Sequence, residues 1–230
     1  MTDKLPDIMT DAEWKAFIGR FNTKAPTGLR NAALFMLMRE AGLRSCEIIG
    51  LRTTDVRHDK LDGEPVTCLR LETTKGGKER IAYVSDDADR LLQAWLERRK
   101  VLGLGRFKHV FTTLKGGPLD GGYLREVCAR KGTEAGISWR VHPHALRHTF
   151  ATDLLEETGD LALVQDALGH SSPETTRVYA KVRNSRLARA ITGRRKEQAP
   201  AKANQDEIEA LRRQLAELTA KLDALTEGDS

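Results

Sequence analysis

The stretch "HPHALRHTFATDLL", residues 142–155, places three histidines and an arginine within seven residues, where the apolar spacing begins to read as a buried helix. Phe150, Leu154 and Leu155 anchor that helix to a core. His144 and Arg147, spaced i, i+3, lie on one helical face, and His144 and His148 are spaced i, i+4. A core has no need of so many titratable groups. Metal ligation, phosphate chemistry and chance are the readings open at this point. Zinc would need a further ligand, with His170 the nearest extra candidate, and the HExxH carboxylate is absent. His148, beside Phe150 and Leu154, reads as a satisfied core histidine, and His142 receives no role.

Outward from this stretch the pattern is helical with one β island. Toward the N-terminus, "MTDAEWKAFIGRF" reads as a helix capped by Thr10 or Asp11, with Trp14, Phe17, Ile18 and Phe21 at helical spacing. "LRNAALFMLMREAG" is apolar over most of its surface and ends at Gly42, which marks a central buried helix. "LRSCEIIGL" follows as a short helix with Ile48, Ile49 and Leu51 inward. "VTCLRLETT" and "RIAYVS" alternate around "TKGGKE", where Gly76 and Gly77 suit a tight hairpin turn. Helical periodicity returns over "DADRLLQAWLERRKVLG", "GGYLREVCARKGTEAG", "HALRHTFATDLLEETG", "DLALVQDALGH" and "SPETTRVYAKV". The expected fold is mainly α with a small antiparallel β-sheet, an α+β class.

Beyond Arg183 a basic run and an Ala/Pro linker, residues 193–205, lead to heptads at Ile208, Leu211, Leu215, Leu218, Leu222 and Leu225. They predict a short coiled-coil helix over 206–227. Packing of that helix on its own domain is the other reading, since three heptads are marginal alone.

The 230 residues suffice for one substantial domain with an appendage. No window approaches the roughly 18 apolar residues of a membrane span, and the N-terminus lacks a signal pattern. A cytoplasmic protein is therefore expected. Cys46, Cys68 and Cys128 are odd in number and lack ligand spacing, which argues against a disulfide framework. The net charge of +5 is uneven: residues 206–229 carry −4, leaving +9 on the rest. That balance favours a polyanionic partner, nucleic acid before an acidic membrane surface.

Other charged groups are ambiguous singly. Arg44 and Glu47 in "GLRSCEIIGL" fit a surface salt bridge as well as a held guanidinium. Lys75 and Lys78 fit a solvated hairpin tip. His170 ends a helix in "DALGHSS", and Tyr179 fits an amphipathic core position.

Taken in order, Arg44, Lys75, His144, Arg147, His170 and Tyr179 resemble the catalytic domain of the tyrosine recombinases, the phage integrase family. The matching segments are "GLRSCEIIGL", "TKGGKER", "HPHALRHTFATDLL" and "ALGHSSPETTRVYAKV", and the likeness covers residues 8–192. It implies site-specific DNA cleavage and rejoining with neither metal nor cofactor, in DNA recombination or integration by a mobile genetic element. Tyr179 would attack the scissile phosphate, leaving a 3′-phosphotyrosyl link and a free 5′-hydroxyl. Arg44 and Arg147 would clamp the non-bridging oxygens, His144 would assist proton movement, Lys75 would protonate the leaving oxygen and His170 would donate to the phosphate. Glu47 looks like the acid that steadies the arginine. Lys78, Arg80, Arg177, Lys181 and Arg183 are further expected DNA contacts.

Physical chemistry agrees with that assignment. A phosphorane-like state gathers charge on its equatorial oxygens, which fixed guanidiniums stabilise beyond the ground state. Arginine's planar fork matches two oxygens at once. Exchanging one phosphodiester for another retains the bond energy, in keeping with the lack of a phosphate-binding glycine loop and of an acid cluster for two metal ions.

The resemblance has a departure. Most members of the family carry a helical DNA-clamping domain of about 80–100 residues ahead of the catalytic one, whereas only nine residues precede the first expected helix. The expected partners are double-stranded DNA, other copies of the chain on that DNA, and a coiled-coil partner or separate DNA-clamping protein, with no membrane. The alternatives are a non-catalytic DNA-binding regulator that oligomerises through its tail, and a topoisomerase-like nicking and closing activity.

Overall fold

The computed structural model describes residues 7–61, 63–72 and 79–169, together with Ile191 and Arg213. Helix α1 (Asp11–Ile18) starts with a reciprocal capping box, in which the Glu13 N–H donates to Thr10 Oγ1 and the Thr10 N–H donates to Glu13 Oε2. Its aromatic face meets the next helix edge-on, with the Phe17 and Phe35 ring centroids 5.7 Å apart. Phe21 is buried as expected, but beyond the end of the helix.

Helix α2 (Pro26–Glu40) opens with proline at its first position, where the missing N–H costs nothing. It is buried almost all round, as a central helix must be. At its exit Gly42 adopts φ +63°, and a Cβ there would stand 2.4 Å from the Phe150 ring. Short helix α3 (Ser45–Gly50) follows, with Ile48 buried and Ile49 only partly so, and Leu51 just past its end is buried as well.

The β island has three antiparallel strands in the order β1 (Val56–Leu61), β2 (Glu64–Glu72), β3 (Glu79–Tyr83). Val56 pairs with Leu69, and Cys68 pairs with Tyr83. The sequence points to β2 and β3 but not to β1, "VRHDKL", whose four central residues are exposed and polar and leave no alternation to read. Strand β2 is buried on both faces: Val66 and Cys68 face one core cluster, Leu69 and Leu71 another.

Helix α4 (Asp86–Val101) begins where Ser85 Oγ accepts from the Ala88 N–H. Its acids, Asp86, Asp87 and Asp89, sit in the first turn and its bases, Arg98, Arg99 and Lys100, in the last, matching the helix dipole. Trp95 is wholly buried, and its indole N–H donates to the Val110 carbonyl at 2.9 Å. Helix α5 (Gly121–Glu134) is capped by Asp120. Helices α6 (Pro143–Thr158) and α7 (Leu161–Leu168) are joined through Gly159 in the left-handed conformation.

Helix α6 is the seam of the molecule. Its Leu146 belongs to the larger cluster formed with α1–α5, while Phe150, Ala151, Leu154 and Leu155 pack with Leu163, Val164, Ala167 and Leu168 of α7 and with Val66, Cys68 and Tyr83 of the sheet. Ile191 packs partly against this second cluster. No helix among the described residues is long and apolar enough to cross a membrane. The hairpin tip with Gly76 and Gly77, the helix expected over "SPETTRVYAKV" and the linker lie outside the described residues, as do the heptads.

Candidate active site

Gly42 and Leu43 turn the chain from α2 into α3 and deliver Arg44 to the α3 N-terminus. The Arg44 N–H donates to Glu47 Oε2 at 2.7 Å, while its Nη1 donates to Glu47 Oε1 at 3.0 Å. From β3, Arg80 sets a planar fork on the same carboxylate, with Nε at 3.1 Å from Oε1 and Nη2 at 2.7 Å from Oε2. From α6, Arg147 approaches with Nη1 3.8 Å from Glu47 Oε2. Three guanidiniums contributed by three elements thus converge on one carboxylate.

Backbone carbonyls complete the network. Arg147 Nη1 donates to the Gly42 carbonyl at 2.5 Å and Nη2 to that of Leu168 at 2.8 Å. Arg80 Nη1 donates to Ala167 O at 2.6 Å and Nη2 to Gly42 O at 3.3 Å. Two of these acceptors are the last carbonyls of α7, the negative end of its dipole. Gly169 caps that end at φ +74°, where a Cβ would come within 2.6 Å of Arg80 Cδ. Both glycines are therefore fixed by backbone conformation and by crowding.

Burial by itself would raise the Glu47 carboxyl pKa, but the Arg80 charge and hydrogen bonds, followed by the charges of Arg147 and Arg44, overcome it and hold the group at about 2. Glu47 is therefore ionised throughout the physiological range. Among the described residues, one carboxylate balances three guanidiniums, so a positive surplus persists in the cluster. The Arg44 side chain, 11% exposed against 3% for Glu47 and Arg147, is the most open to solvent of the three arginines. Such a site attracts an anion with several oxygens.

His144 occupies the first turn of α6, half-buried, one turn before Arg147. Two residues before it, His142, which receives no role on sequence grounds, is the α6 N-cap: its Nδ1 accepts from the Ala145 N–H at 3.2 Å. No Ser, Thr, Asp or Asn signalled a cap there.

The structure brings Arg44, Glu47 and Arg147 together; spacing alone pairs Arg44 with Glu47, and Arg147 joins them from α6 across about 100 residues of sequence. Arg80 is a correction. Expected to contact DNA, it is buried, with all three of its nitrogens donating to Glu47, Gly42 and Ala167. The physical reason is strand alternation, which turns Arg80 and Ala82 inward and Glu79 and Ile81 outward. Lys75, His170 and Tyr179 lie outside the described residues, as do Lys78, Arg177, Lys181 and Arg183.

The phage integrase family profile matches residues 7–186, and the chain belongs to that family. It is 35% identical over 194 residues to tyrosine recombinase XerC of Halalkalibacterium halodurans, covering 80% of this chain and 60% of the relative. Identity to tyrosine recombinase XerC of Xanthomonas campestris pv. campestris is 37% over 186 residues, 81% of this chain and 54% of the relative. The chain thus spans between half and two-thirds of the length of these relatives. Among solved structures it is similar to the XerH site-specific recombinase in a pre-cleavage complex with its difH substrate, with 28% identity, TM-score 0.63, and coverage of 80% of this chain and 50% of that one. It also resembles XerA recombinase, with 27% identity, TM-score 0.62, and coverage of 85% and 67%.

Proposed function

We propose that this chain cleaves and rejoins DNA strands through a covalent phosphotyrosyl intermediate, without metal or cofactor. The observation that carries the reading is the convergence of Arg44 and Arg147 from separate elements on one ionised, buried carboxylate, in a chain of the phage integrase family. Guanidiniums held this way pay little further ordering entropy when they meet the equatorial oxygens of a pentacoordinate phosphorus.

In this reading the Tyr179 oxygen attacks the scissile phosphorus, the phosphorus–5′-oxygen bond breaks, and the departing oxygen takes a proton from Lys75. His144 assists removal of the phenolic proton and His170 donates a hydrogen bond to the phosphate. Attack by another 5′-hydroxyl on the phosphotyrosyl ester reverses the step and returns the phenol, so no nucleotide is consumed. Lys78, Arg177, Lys181 and Arg183 supply contacts to the DNA backbone. Residues 8–192 form the catalytic unit, and 206–227, beyond the linker at 193–205, form a helix that joins copies on double-stranded DNA or engages a DNA-clamping partner. The assignment is to a recombinase or integrase acting on DNA in the cytoplasm.

The test is incubation with a nicked suicide duplex. A covalent protein–DNA adduct is expected for the native chain and none for Tyr179→Phe; equal adduct from both would remove the tyrosine from its role.

A further inference from the structure

We propose that His142 is a positioning residue, which holds the first turn of α6, and with it His144 and Arg147, only while its imidazole is neutral. The capping half stands on geometry alone; its consequence for cleavage rests on the function proposed above.

The Ala145 N–H is shared between the His142 carbonyl at 3.0 Å and the His142 ring Nδ1 at 3.2 Å. A ring nitrogen that accepts an N–H must carry no proton, so this geometry requires the neutral Nε2–H tautomer. Serine, threonine, asparagine or aspartate, the usual caps, would accept at any pH near neutrality. Histidine accepts only above its pKa. The first turn of α6 contains no acid that could accept in its place. Protonation would point an N–H at an N–H and place a cation at the positive end of a 16-residue helix.

The surroundings oppose the charged ring. Trp139 packs edge-on with its centroid 6.5 Å away, and the His144 ring centroid lies at 6.4 Å. Burial first, then His144 and Arg140, push the His142 pKa down, while Asp7 of the N-terminal segment pulls it up. Glu13 of α1, the nearby acid on another element, is taken by the Trp139 indole N–H at 3.1 Å. With a folded pKa depressed below the unfolded value near 6.5, the capped turn is fully favoured above that value. It is lost as pH falls through the lower folded pKa, because the unfolded chain binds the proton first.

The experiment follows Ala145 amide protection and the His142 ring by NMR from about pH 7.5 to 5 in the full chain, alongside His142→Ala and His142→Ser, and measures suicide-duplex adduct in parallel. Ala145 protection in His142→Ala should fall roughly fivefold at neutral pH, and serine should restore it. Acid should lower protection and adduct yield together in the native chain, but lower neither to the same extent in His142→Ser. Superimposable pH profiles for the native chain and His142→Ser would overturn the proposal even if the alanine variant fails to fold. A serine-dependent change in the amide profile without adduct from any variant would uphold the cap and overturn the cleavage reading instead.

Discussion

Glu47 sets the energetics of the site residue by residue. Replacing it with glutamine keeps the shape but leaves Arg80 and Arg147 buried among carbonyls with no anionic partner at Glu47. Removing one member of a buried ionic network costs about 3–5 kcal/mol, so Glu47→Gln should lower the urea midpoint sharply at pH 7. The sign of the acid response follows from its pKa. Held at about 2 against an ordinary 4.5, Glu47 contributes stability that is present above 4.5 and lost as pH falls toward 2. Glu47→Gln should therefore flatten the stability profile in that window, well below the one assigned to His142. Arg80→Lys offers a second check. A lysine ammonium cannot reproduce the fork on Glu47 together with the bonds to Gly42 and Ala167, so thermal stability should drop although the charge is unchanged.

Elements are held at their ends, and two glycines separate the causes. Gly159, the α6 C-cap at φ +62°, has open space where a Cβ would stand, so Gly159→Ala should cost only the left-handed backbone penalty of about 1–2 kcal/mol. Gly42 has nearly the same φ but faces the Phe150 ring at 2.4 Å, so Gly42→Ala should cost distinctly more and displace Arg44 as well. Denaturant unfolding of both variants measures the difference. Ser85→Ala, which removes the α4 cap remote from the site, should destabilise by about 0.5–2 kcal/mol and leave adduct formation by the folded protein unchanged.

At the scale of the whole molecule, the decisive feature is that α6 joins two core clusters. Arg147 lies between Leu146, which packs into one, and Phe150, which packs into the other, so the site sits where both packings must be right at once. The charge distribution acts over longer range. With +9 outside the acidic tail, duplex binding by Tyr179→Phe should fall steeply with salt, by about a thousandfold between roughly 50 and 200 mM if some six phosphates are neutralised. Fluorescence anisotropy across a salt series would read the slope; a flat one would place the basic residues away from DNA.

The helical periods, the β2–β3 pair and the i, i+3 placing of Arg44 and Glu47 are legible without coordinates, because periodicity and short spacings are local properties, whereas the approach of Arg147 to that pair links segments about 100 residues apart and follows from the packing of α6. Strand β1 leaves no such signal, because an exposed edge strand carries no apolar alternation. Arg80 shows what only tertiary structure decided. Period-two alternation in "ERIAY" states that Arg80 and Ala82 share a face and that Glu79 and Ile81 share the other. By hydrophobicity Ile81 should be the inward one. It is the exposed one, because Glu47 and the end of α7, distant in sequence, lie on the opposite face and reward a buried guanidinium more than isoleucine gains from leaving water.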